Sequence, residues 1–465
     1  MKLQCYYNLQ YFLDLASNHR LLGEVECHNL TQIIQTQFDQ FHQFFQTHHR
    51  LPQILLVESD PVEFLASLIA AVAANCPIFL GSPYWQELEW RQVFEQIRPD
   101  IILGKIPLNP PKIENGNHQN LENCIMIPTG GTSGQIKFAV HTWKTLTASV
   151  QGFQQYFQRM PIHSYCILPL YHVSGLMQFI RSFISGGELV IQPFKAVESG
   201  NFIALDPALF FISLVPTQLQ RLLQKPQTTQ WLSQFHTVLL GGAPAWSELL
   251  EQARYNQIRL APTYGMTETA SQIATLKPEY FLAGYQNSGQ ILPHAQIKVC
   301  NPKGERLTAN QVGLLQIKAD SLMLGYYGQY FDPKIRINSL NTDDLGYLDE
   351  QGYLTIVGRN SHKIITGGEK VFPEEIETVI CGTGQVKEVC VIGLPDADWG
   401  QSVTAVYTPL TSQTQLDYLK QTLAEKLCKY KHPKAWISVD KIPRNSQGKI
   451  NRQFLKEWVQ SQKLH

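Results

Sequence analysis

The chain has 465 residues, and its 38 Lys and Arg residues balance 38 Asp and Glu residues to a formal net charge of zero. This balance, without a long basic run, excludes a nucleic-acid-binding protein, which needs clustered basic residues to contact phosphates. Because 44% of the residues are hydrophobic and the length exceeds that of one usual domain, the chain is predicted to fold into two or more structural units.

The cysteines and the N-terminal segment indicate a cytoplasmic protein. The nine cysteines are scattered and never form a C-x-x-C pair, which is typical of reduced thiols. Polar residues interrupt the N-terminus too early for a signal peptide. The most apolar stretch, Phe64 to Ala74, falls short of the roughly 20 residues of a membrane span, so we expect no membrane-spanning helix.

Alternating strand and helix signals predict an α/β body. An apolar strand at residues 53–57 precedes Asp60, a typical helix N-cap, and a second strand follows at residues 78–80. This order is a βαβ unit of a parallel sheet. Equivalent strand–helix units are predicted at residues 165–168, 210–215 and 238–240. The last of these helices is expected to open at Pro244. The predicted fold class is therefore α/β, with doubly wound sheets in a large N-terminal body.

Two smaller units are predicted downstream. From about Ser288 the sequence changes to short β-rich segments, which indicate a small β-barrel-like subdomain or a distorted sheet appended to the body. The segment after Gly358 has about one hundred residues with mixed strand and helix signals, which suit a small, mobile α+β lid. The predicted domains are thus residues 1–358 and residues 359–465.

The strongest local signal is a segment rich in glycine and hydroxyl side chains that ends in a lysine. It comprises Thr129, Gly130, Gly131, Thr132, Ser133, Gly134 and Lys137. Glycines let backbone N–H groups turn toward an anion and the hydroxyls add donors, so the segment predicts a phosphate-binding loop. Its spacing differs from a Walker A motif, and a plain surface turn is the alternative.

A second group of polar residues follows a later apolar strand. Tyr264 can stack on a purine, Thr267 can reach a phosphate, and Glu268 is suited to hold Mg²⁺. Gly242 and Ala243 also follow a predicted strand. Both groups therefore fall at the carboxyl ends of strands, where open α/β sheets bind ligands. The alternative for Tyr264 is an ordinary core tyrosine.

Two further motifs lie toward the C-terminus. Asp343 and Asp344 could accept hydrogen bonds from a ribose diol, which Arg359 could support. Paired aspartates are more often solvated turn residues. Lys449 ends a flexible segment, and a lysine can stabilise a carboxylate and a phosphate together. An exposed lysine without a function is the alternative for it.

In this order, the four motifs resemble the core motifs of the acyl-adenylate-forming superfamily, over a match that begins near Cys124. Within the superfamily, residues 137–143, 168–176 and 214–219 resemble the branch that ligates 2-succinylbenzoate to coenzyme A in menaquinone or phylloquinone synthesis. The resemblance implies two steps. A carboxylate first attacks the α-phosphorus of ATP, giving an acyl-adenylate and pyrophosphate, and the thiol of coenzyme A then displaces AMP.

The resemblance also implies a role for each matching residue. Lys449 would bridge the carboxylate and the α-phosphate, Glu268 would bind Mg²⁺, and His172 would stand at the wall of the acyl pocket. The residues that would bind ATP are Thr129, Gly130, Gly131, Thr132, Ser133, Gly134, Lys137, Gly242, Ala243, Tyr264, Gly265, Thr267, Asp344 and Arg359. The lid would then swing about Asn360 and replace Lys449 with Gly367 and Gly368, which leave room for the pantetheine arm of coenzyme A.

A 2-succinylbenzoate substrate needs a polar anchor for the carboxylate that does not react. Arg181 is the nominated anchor because it stands in an otherwise apolar helix, with Ser174 and Gln218 as neutral helpers. An arginine on the exposed side of that helix is the alternative. Three residues depart from the superfamily pattern. Gly130 and Ile136 stand where serine and proline are common in the phosphate loop, and Asn360 stands where aspartate or lysine is frequent at the hinge.

Two other functions stay open at this point. One is a ligase for another aromatic or medium-chain carboxylic acid. The other, from a different class, is a non-catalytic nucleotide-binding protein on the same fold, although such a protein would need only some of the motif residues. A Rossmann dehydrogenase and a serine hydrolase are not expected, because their glycine-rich motifs are missing. The expected partners are ATP, coenzyme A and the carboxylic acid, with a homodimer as one option.

Overall fold

A computed structural model describes residues 2–18, 20–22, 30–107, 121–130, 135–328, 331–332, 335, 337–411, 414–444 and 450–462. The helices in these ranges are α1 Lys2–Asn18, α2 Leu30–His48, α3 Pro61–Ala73, α4 Glu87–Gln96, α5 Trp143–Phe157, α6 Val173–Ser185, α7 Phe194–Glu198, α8 Pro216–Leu223, α9 Pro226–Ser233, α10 Ser247–Tyr255, α11 Pro278–Leu282, α12 Pro373–Gly382, α13 Leu416–Lys426 and α14 Arg452–Gln462. Across these same ranges, no helix combines the length and the apolar character that a membrane crossing requires.

The strands are short and are distributed over four sheets. They are β1 Arg20–Leu22, β2 Ile54–Val57, β3 Ile78–Leu80, β4 Ile101–Gly104, β5 Cys124–Gly130, β6 Ile136–Thr142, β7 His163–Cys166, β8 Glu188–Ile191, β9 Phe210–Leu214, β10 Thr237–Leu240, β11 Leu260–Met266, β12 Ser271–Thr275, β13 Gln290–Ile291, β14 Ala295–Cys300, β15 Gly313–Ala319, β16 Gly325–Tyr326, β17 Leu340–Leu348, β18 Leu354–Arg359, β19 Ile364–Thr366, β20 Glu369–Val371, β21 Val386–Asp396, β22 Gly400–Pro409 and β23 Ala435–Ser438.

The largest sheet has eight strands in the order β1-β8-β7-β9-β10-β11-β12-β13. Its strands from β1 to β11 pair in parallel, and β12 and β13 continue the sheet antiparallel. The central strands are mostly apolar because both faces are covered, and all four residues of β10 are buried. The carboxyl end of β10 lies beside the first half of β11, since Leu240 is the register partner of Pro262.

A second sheet has six strands in the order β16-β6-β5-β3-β2-β4. The predicted βαβ unit is confirmed here: β2 and β3 are parallel neighbours, and α3 connects them. Asp60 caps α3, with its side chain accepting from the backbone N–H groups of Val62 and Glu63. One hydrophobic core joins α2, α3 and α6 with strands β2, β3 and β5, so the helices pack against this sheet.

Two smaller sheets follow. Strands β14, β15, β17 and β18 form an antiparallel sheet whose ladder is irregular at two points. This sheet is open, so of the two predicted forms the distorted sheet is correct and the barrel is not. The last sheet contains β19 to β23, and the residues of β21 alternate between two cores. Val389 and Val391 pack with α12 and α13, whereas Cys390 and Ile392 pack with α14.

The predicted fold class is confirmed, and two local predictions need correction. Helix α10 begins at Ser247 and not at Pro244, because the N-cap residue Trp246 keeps an extended backbone (φ −82°, ψ 154°). The N-terminal helices α1 and α2 were not predicted. The signal for α2 is nevertheless present, since its buried residues Leu30, Ile34, Phe38 and Phe41 recur at helical spacing.

Candidate active site

Tyr264, Asp344 and Arg359 form one hydrogen-bonded group. Tyr264 Oη donates to Asp344 Oδ2 at 2.7 Å, and Arg359 Nε donates to Asp344 Oδ1 at 3.1 Å. Strands β17 and β18 bring the charged pair together as register partners. Burial and the neighbouring Asp344 carboxylate raise the pKa of Tyr264, so the phenol keeps its proton and acts as the donor. Two separate sequence motifs therefore meet at one carboxylate.

The two aspartates of the third motif have different surroundings. Asp344 is 7% exposed, whereas Asp343 accepts hydrogen bonds from the backbone N–H and the hydroxyl of Ser361. Ser361 lies in the 3₁₀ turn Asn360–His362, where Asn360 Oδ1 accepts from Lys363 Nζ at 3.1 Å. The alternation of side chains along β17 explains this division. Asp343 thus contacts the expected hinge turn, and only Asp344 faces Tyr264.

The backbone around Tyr264 allows close approach. Gly265 lies at an irregularity between β11 and β12, and a Cβ atom there would be 2.2 Å from the carbonyl oxygen of Ser271. Only glycine fits this position. Gly242 and Ala243 follow the end of β10 and are exposed at the same sheet edge. The structure therefore places these predicted nucleotide-binding residues together at the carboxyl ends of neighbouring strands.

Glu268 lies in the 3₁₀ turn Thr267–Thr269 that directly follows β11. Its Oε1 accepts a hydrogen bond from Tyr326 Oη at 2.6 Å, and Lys137 Nζ lies 5.5 Å from the centroid of the Tyr326 ring. Burial and the adjacent Glu268 raise the pKa of Tyr326, which keeps the phenol a donor. The second sequence motif and the lysine of the first motif therefore converge on Tyr326, a residue that the sequence did not single out.

The donor set near Glu268 fits a magnesium ion that arrives with a nucleotide. In the described ranges, no group of three or more His, Cys, Asp or Glu residues could hold a metal ion. Glu268 Oε2 has no hydrogen-bond partner in those ranges, which leaves it available to a cation. Mg²⁺ is commonly bound by one or two carboxylates, with phosphate oxygens and water completing its shell. A single carboxylate is therefore sufficient when phosphates supply the other ligands.

His141 on β6 is a site residue that sequence reasoning missed. Its ring is 0% exposed, with Nε2 2.8 Å from the carbonyl oxygen of Thr267 and Nδ1 3.1 Å from Thr145 Oγ1. Burial lowers the pKa of His141 to about 4, so the imidazole is neutral. The position of His141 beside Trp143 gives no signal of this contact, because Thr267 is 126 residues away along the chain.

The predicted phosphate loop connects β5 and β6, which pair antiparallel. Thr129 pairs with Lys137, and Gly130 pairs with Ile136, so the loop connects the two strands of a hairpin. Thr129 is buried. Gly131, Thr132, Ser133 and Gly134 lie outside the described residues. The described ends of the segment place Lys137 near the Glu268 turn, as the Tyr326 contact above shows.

On the expected acyl side, Arg181 is buried and not on an exposed helix face. It is 3% exposed, and its Nη2 donates to Ser271 Oγ and Gln272 Oε1, each at 3.0 Å. The guanidinium carbon lies 4.3 Å from the centroid of the Phe153 ring. Arg181 Nε has no hydrogen-bond partner, and no carboxylate of the described ranges forms an ion pair with this arginine. Burial lowers the pKa of Arg181 to about 9.

The other predicted acyl-side residues surround the start of two helices. His172 is the N-cap residue of α6, with its ring 4.6 Å from that of Tyr171. Ser174 is exposed in the first turn of the same helix. Gln218 Oε1 accepts from the backbone N–H of Val215 at 3.1 Å and so caps α8. The side-chain oxygen of Gln218 therefore has a structural partner already.

The predicted coenzyme A residues occupy the tight turn between β19 and β20. Gly367 has φ +57°, and a Cβ atom there would lie 2.6 Å from the Trp399 ring. Gly368 has φ +84° with open space beside it. Lys434 Nζ lies 3.6 Å from the centroid of the Trp399 ring, which is half-exposed. Trp399 and Lys434 were missed by the sequence analysis, and Lys449 lies outside the described residues.

Residues 85–327 match the AMP-binding enzyme family, and residues 375–449 match the AMP-binding enzyme C-terminal domain. The 2-succinylbenzoate–CoA ligase of Oceanobacillus iheyensis is 34% identical over 337 residues, which are 71% of this chain and 68% of that protein. The 2-succinylbenzoate–CoA ligase of Enterococcus faecalis is 31% identical over 382 residues, which are 81% of this chain and 78% of that protein.

A solved structure shares the whole fold. The o-succinylbenzoate CoA synthetase from Bacillus subtilis, in complex with the acyl-adenylate intermediate OSB-AMP, superposes with a TM-score of 0.82 at 25% identity over 97% of either chain. The chain thus belongs to the AMP-binding enzyme family, the acyl-adenylate-forming superfamily that its four motifs indicated. The predicted resemblance and the predicted enzyme class are confirmed.

Proposed function

We propose that this protein is a 2-succinylbenzoate–CoA ligase of menaquinone or phylloquinone synthesis that uses ATP, Mg²⁺ and coenzyme A. In the first step, a carboxylate oxygen of the acid bonds to the α-phosphorus of ATP and pyrophosphate leaves. In the second step, the sulfur of coenzyme A bonds to the acyl carbon and AMP leaves. Relatives that carry this name cover most of the chain. The observation that carries the proposal for the substrate is the buried Arg181, which forms no ion pair with any described carboxylate and whose Nε has no hydrogen-bond partner there.

The nucleotide is proposed to bind along the carboxyl edges of β10 and β11. Tyr264 would line the adenine, and the pair of Asp344 and Arg359 would bind the ribose, because that carboxylate is already oriented by two donors. The segment from Thr129 to Lys137 would hold the phosphates. Magnesium neutralises phosphate charge in such reactions, and Glu268 would hold it. These assignments follow the motifs and agree with the distances among the described residues.

Arg181 is proposed to bind the carboxylate of 2-succinylbenzoate that does not react. A buried charge without a counter-ion is unfavourable, so the position calls for an anion from outside the chain. The guanidinium keeps its proton near neutral pH, since its pKa stays at about 9 despite burial. It also donates to Ser271 Oγ, and Ser271 lies three residues after Glu268, the proposed magnesium ligand, which supports this role. A monocarboxylic acid would leave this cation unpaired.

The two half-reactions are proposed to use different residues of the C-terminal part of the chain. Lys449 would neutralise the reacting carboxylate and the α-phosphate in the first step. The Gly367–Gly368 turn would pass the pantetheine arm in the second step, with the Trp399 face and the Lys434 ammonium beside it for an aromatic and anionic ligand. The hinge at Asn360 and the domain division at residues 358 and 359 belong to this proposal.

The cellular location of the protein is proposed from its free cysteines. The cysteines at positions 76, 124, 166, 300, 381, 390 and 428 are free. Free thiols are typical of a reducing compartment, so we propose a cytoplasmic location. A homodimer stays a prediction from the sequence.

A panel of acids tests the proposed function. ATP-to-AMP conversion would be measured with 2-succinylbenzoate, benzoate and a medium-chain fatty acid, with and without coenzyme A. We expect turnover with the dicarboxylic acid and thioester only when coenzyme A is present. Turnover confined to benzoate or to the fatty acid would contradict the substrate, and an absence of AMP with every acid would favour the non-catalytic alternative.

A further inference from the structure

The turn that carries Glu268 has an unfavourable backbone. The two residues that follow Thr269, Ala270 and Ser271, have φ angles of 51° and 92°. Residues with a Cβ atom rarely adopt this left-handed region, and such conformations persist only where surrounding contacts hold them. The position of the Glu268 carboxylate therefore depends on contacts made by other elements.

Buried side chains from three different elements hold the carbonyl groups of this turn. His141 Nε2 lies 2.8 Å from the carbonyl oxygen of Thr267, and Ser321 Oγ donates to that of Thr269 at 2.9 Å. Ser149 Oγ donates to the carbonyl oxygen of Ala270 at 2.7 Å. The three donors come from β6, from the segment before β16 and from α5. The backbone N–H of Met323 donates to the carbonyl oxygen of Glu268 at 2.9 Å, so all four consecutive carbonyl groups accept a bond from outside the turn.

The bond made by His141 has a defined direction. The Thr267 carbonyl can only accept, so Nε2 carries the hydrogen. Nδ1 of the neutral ring is then an acceptor 3.1 Å from the Thr145 hydroxyl, whose one hydrogen also points to the Thr142 carbonyl oxygen at 2.9 Å. Both ring nitrogens are therefore used. Because the side chain is 0% exposed, water has no access to replace either bond.

Strand β6 positions one residue that contacts Glu268 and another that contacts the residue before it. Tyr326, whose phenol donates to the Glu268 carboxylate, is held against Ala139 of β6 by the β16 pairing. His141, two residues further along the same strand, bonds Thr267, the residue before Glu268. Strand β6 belongs to the six-stranded sheet and β11 to the eight-stranded sheet, so His141 links the two sheets at the site.

We propose that His141 is a positioning residue that fixes the Glu268 carboxylate for magnesium–nucleotide binding through the Thr267 carbonyl. This proposal rests on the role given to Glu268 in the proposed function. Loss of the bond removes the His141 donor from a carbonyl that then keeps only the Ala270 N–H at 3.0 Å. It also releases the turn from β6, which weakens cation binding without removing any group that contacts the cation.

The test compares His141→Phe with His141→Gln, whose amide can donate from nearly the same position as Nε2. Mn²⁺ binding would be followed by electron paramagnetic resonance in the presence of a non-hydrolysable ATP analogue, and Mg²⁺ dependence by ATP–pyrophosphate exchange. We expect His141→Phe to weaken Mn²⁺ binding and to raise the Mg²⁺ requirement, each by about tenfold, and His141→Gln to restore most of both. The matched control is His236→Phe, because His236 also bonds a threonine hydroxyl but lies at the opposite end of β10.

Two comparisons distinguish the proposed role of His141 from the proposed role of Glu268, on which it rests. Wild-type Mn²⁺ affinity in His141→Phe, combined with weak binding in Glu268→Gln, would overturn the role of His141 alone. Wild-type affinity in Glu268→Gln would overturn the assignment of Glu268 itself. Where His141→Phe does not fold, Ser321→Ala removes the neighbouring bond to Thr269 and is expected to weaken Mn²⁺ binding in the same direction; unchanged binding there would count against the proposal.

Discussion

Lys426 Nζ lies 2.8 Å from Glu248 Oε1 and joins helix α13 of the C-terminal sheet to helix α10 of the large sheet. The same carboxylate covers Gly382, where a Cβ atom would be 2.0 Å from Glu248 Oε2. One glutamate therefore makes contacts across the proposed boundary between body and lid. These contacts would be lost or changed if the lid moved relative to the body.

Replacement of Glu248 by alanine is expected to shift the balance between the two half-reactions. The ion pair is partly exposed, and such pairs contribute about 0–1 kcal/mol, so the ratio of adenylation rate to thioester rate should change by no more than about fivefold. Gly382→Ala should act in the same direction, because its methyl group displaces the Glu248 carboxylate. Lys431→Ala, which breaks a pair within the C-terminal part at 2.6 Å, is the control and should leave the ratio unchanged.

Lys449→Ala is expected to abolish adenylation and to spare the thioester step. The lysine is proposed to neutralise two anions as they approach, and removal of such a group commonly costs a factor of about 10² or more. ATP–pyrophosphate exchange measures the first step, and release of AMP from preformed acyl-adenylate by coenzyme A measures the second. Equal losses in both assays would contradict the proposed division of labour.

Gly367→Ala is expected to slow the thioester step and to spare adenylation. The added methyl group would meet the Trp399 ring at 2.6 Å in a backbone conformation that disfavours alanine, so the turn must move. The rate of thioester formation should fall by about tenfold or more, while ATP–pyrophosphate exchange stays near the wild-type rate. Gly368→Ala, which has open space beside it, serves as the comparison and should show the smaller loss.

Arg181→Met is expected to preserve the stability of the protein and to weaken its activity on 2-succinylbenzoate. Methionine keeps much of the side-chain volume but removes the buried charge, so the free energy of unfolding should stay equal or rise. The KM for 2-succinylbenzoate should increase by about 100-fold, because the second carboxylate loses its counter-ion. The KM for ATP is the internal control. A variant that kept its full catalytic efficiency on the dicarboxylic acid would exclude Arg181 as the anchor.

Stability is expected to fall as the pH drops from 6.5 toward 4. Burial lowers the pKa of His141 from 6.5 to about 4, so within this window the unfolded chain binds a proton that the folded protein does not. At the acid end of the window this difference amounts to about 3 kcal/mol. His236 and His294 act in the same direction. Urea titrations at both ends of the window should show a smaller loss for His141→Phe than for the wild type.

Much of the fold was predictable because it follows from local signals. The apolar strand at residues 54–57, the cap at Asp60 and the strand at residues 78–80 were each visible in the sequence, and their order required a parallel pair. The order of the motifs likewise indicated the family. These features depend on neighbours along the chain, which a single sequence displays directly.

The remaining features depend on contacts between distant segments. Tyr264 and Asp344 are 80 residues apart, and their bond exists only because the large sheet and the small antiparallel sheet meet. The buried position of Arg181 was open in the sequence, since an arginine in an apolar helix suits either a core or a surface face. Gln218 was assigned to substrate, yet its oxygen caps a helix, because local backbone donors compete for any nearby amide.

The position of Arg359 next to the proposed hinge would couple movement of the lid to release of the nucleotide. Arg359 bonds the Asp344 carboxylate and is followed directly by Asn360, the proposed pivot. A rotation there would change the backbone next to the proposed ribose-binding pair, so nucleotide affinity and lid position would be linked. By thermodynamic reciprocity, the factor by which bound AMP favours one lid position is the factor by which that position tightens AMP. AMP is then expected to leave from the lid position that binds it more weakly, and this release completes the catalytic cycle.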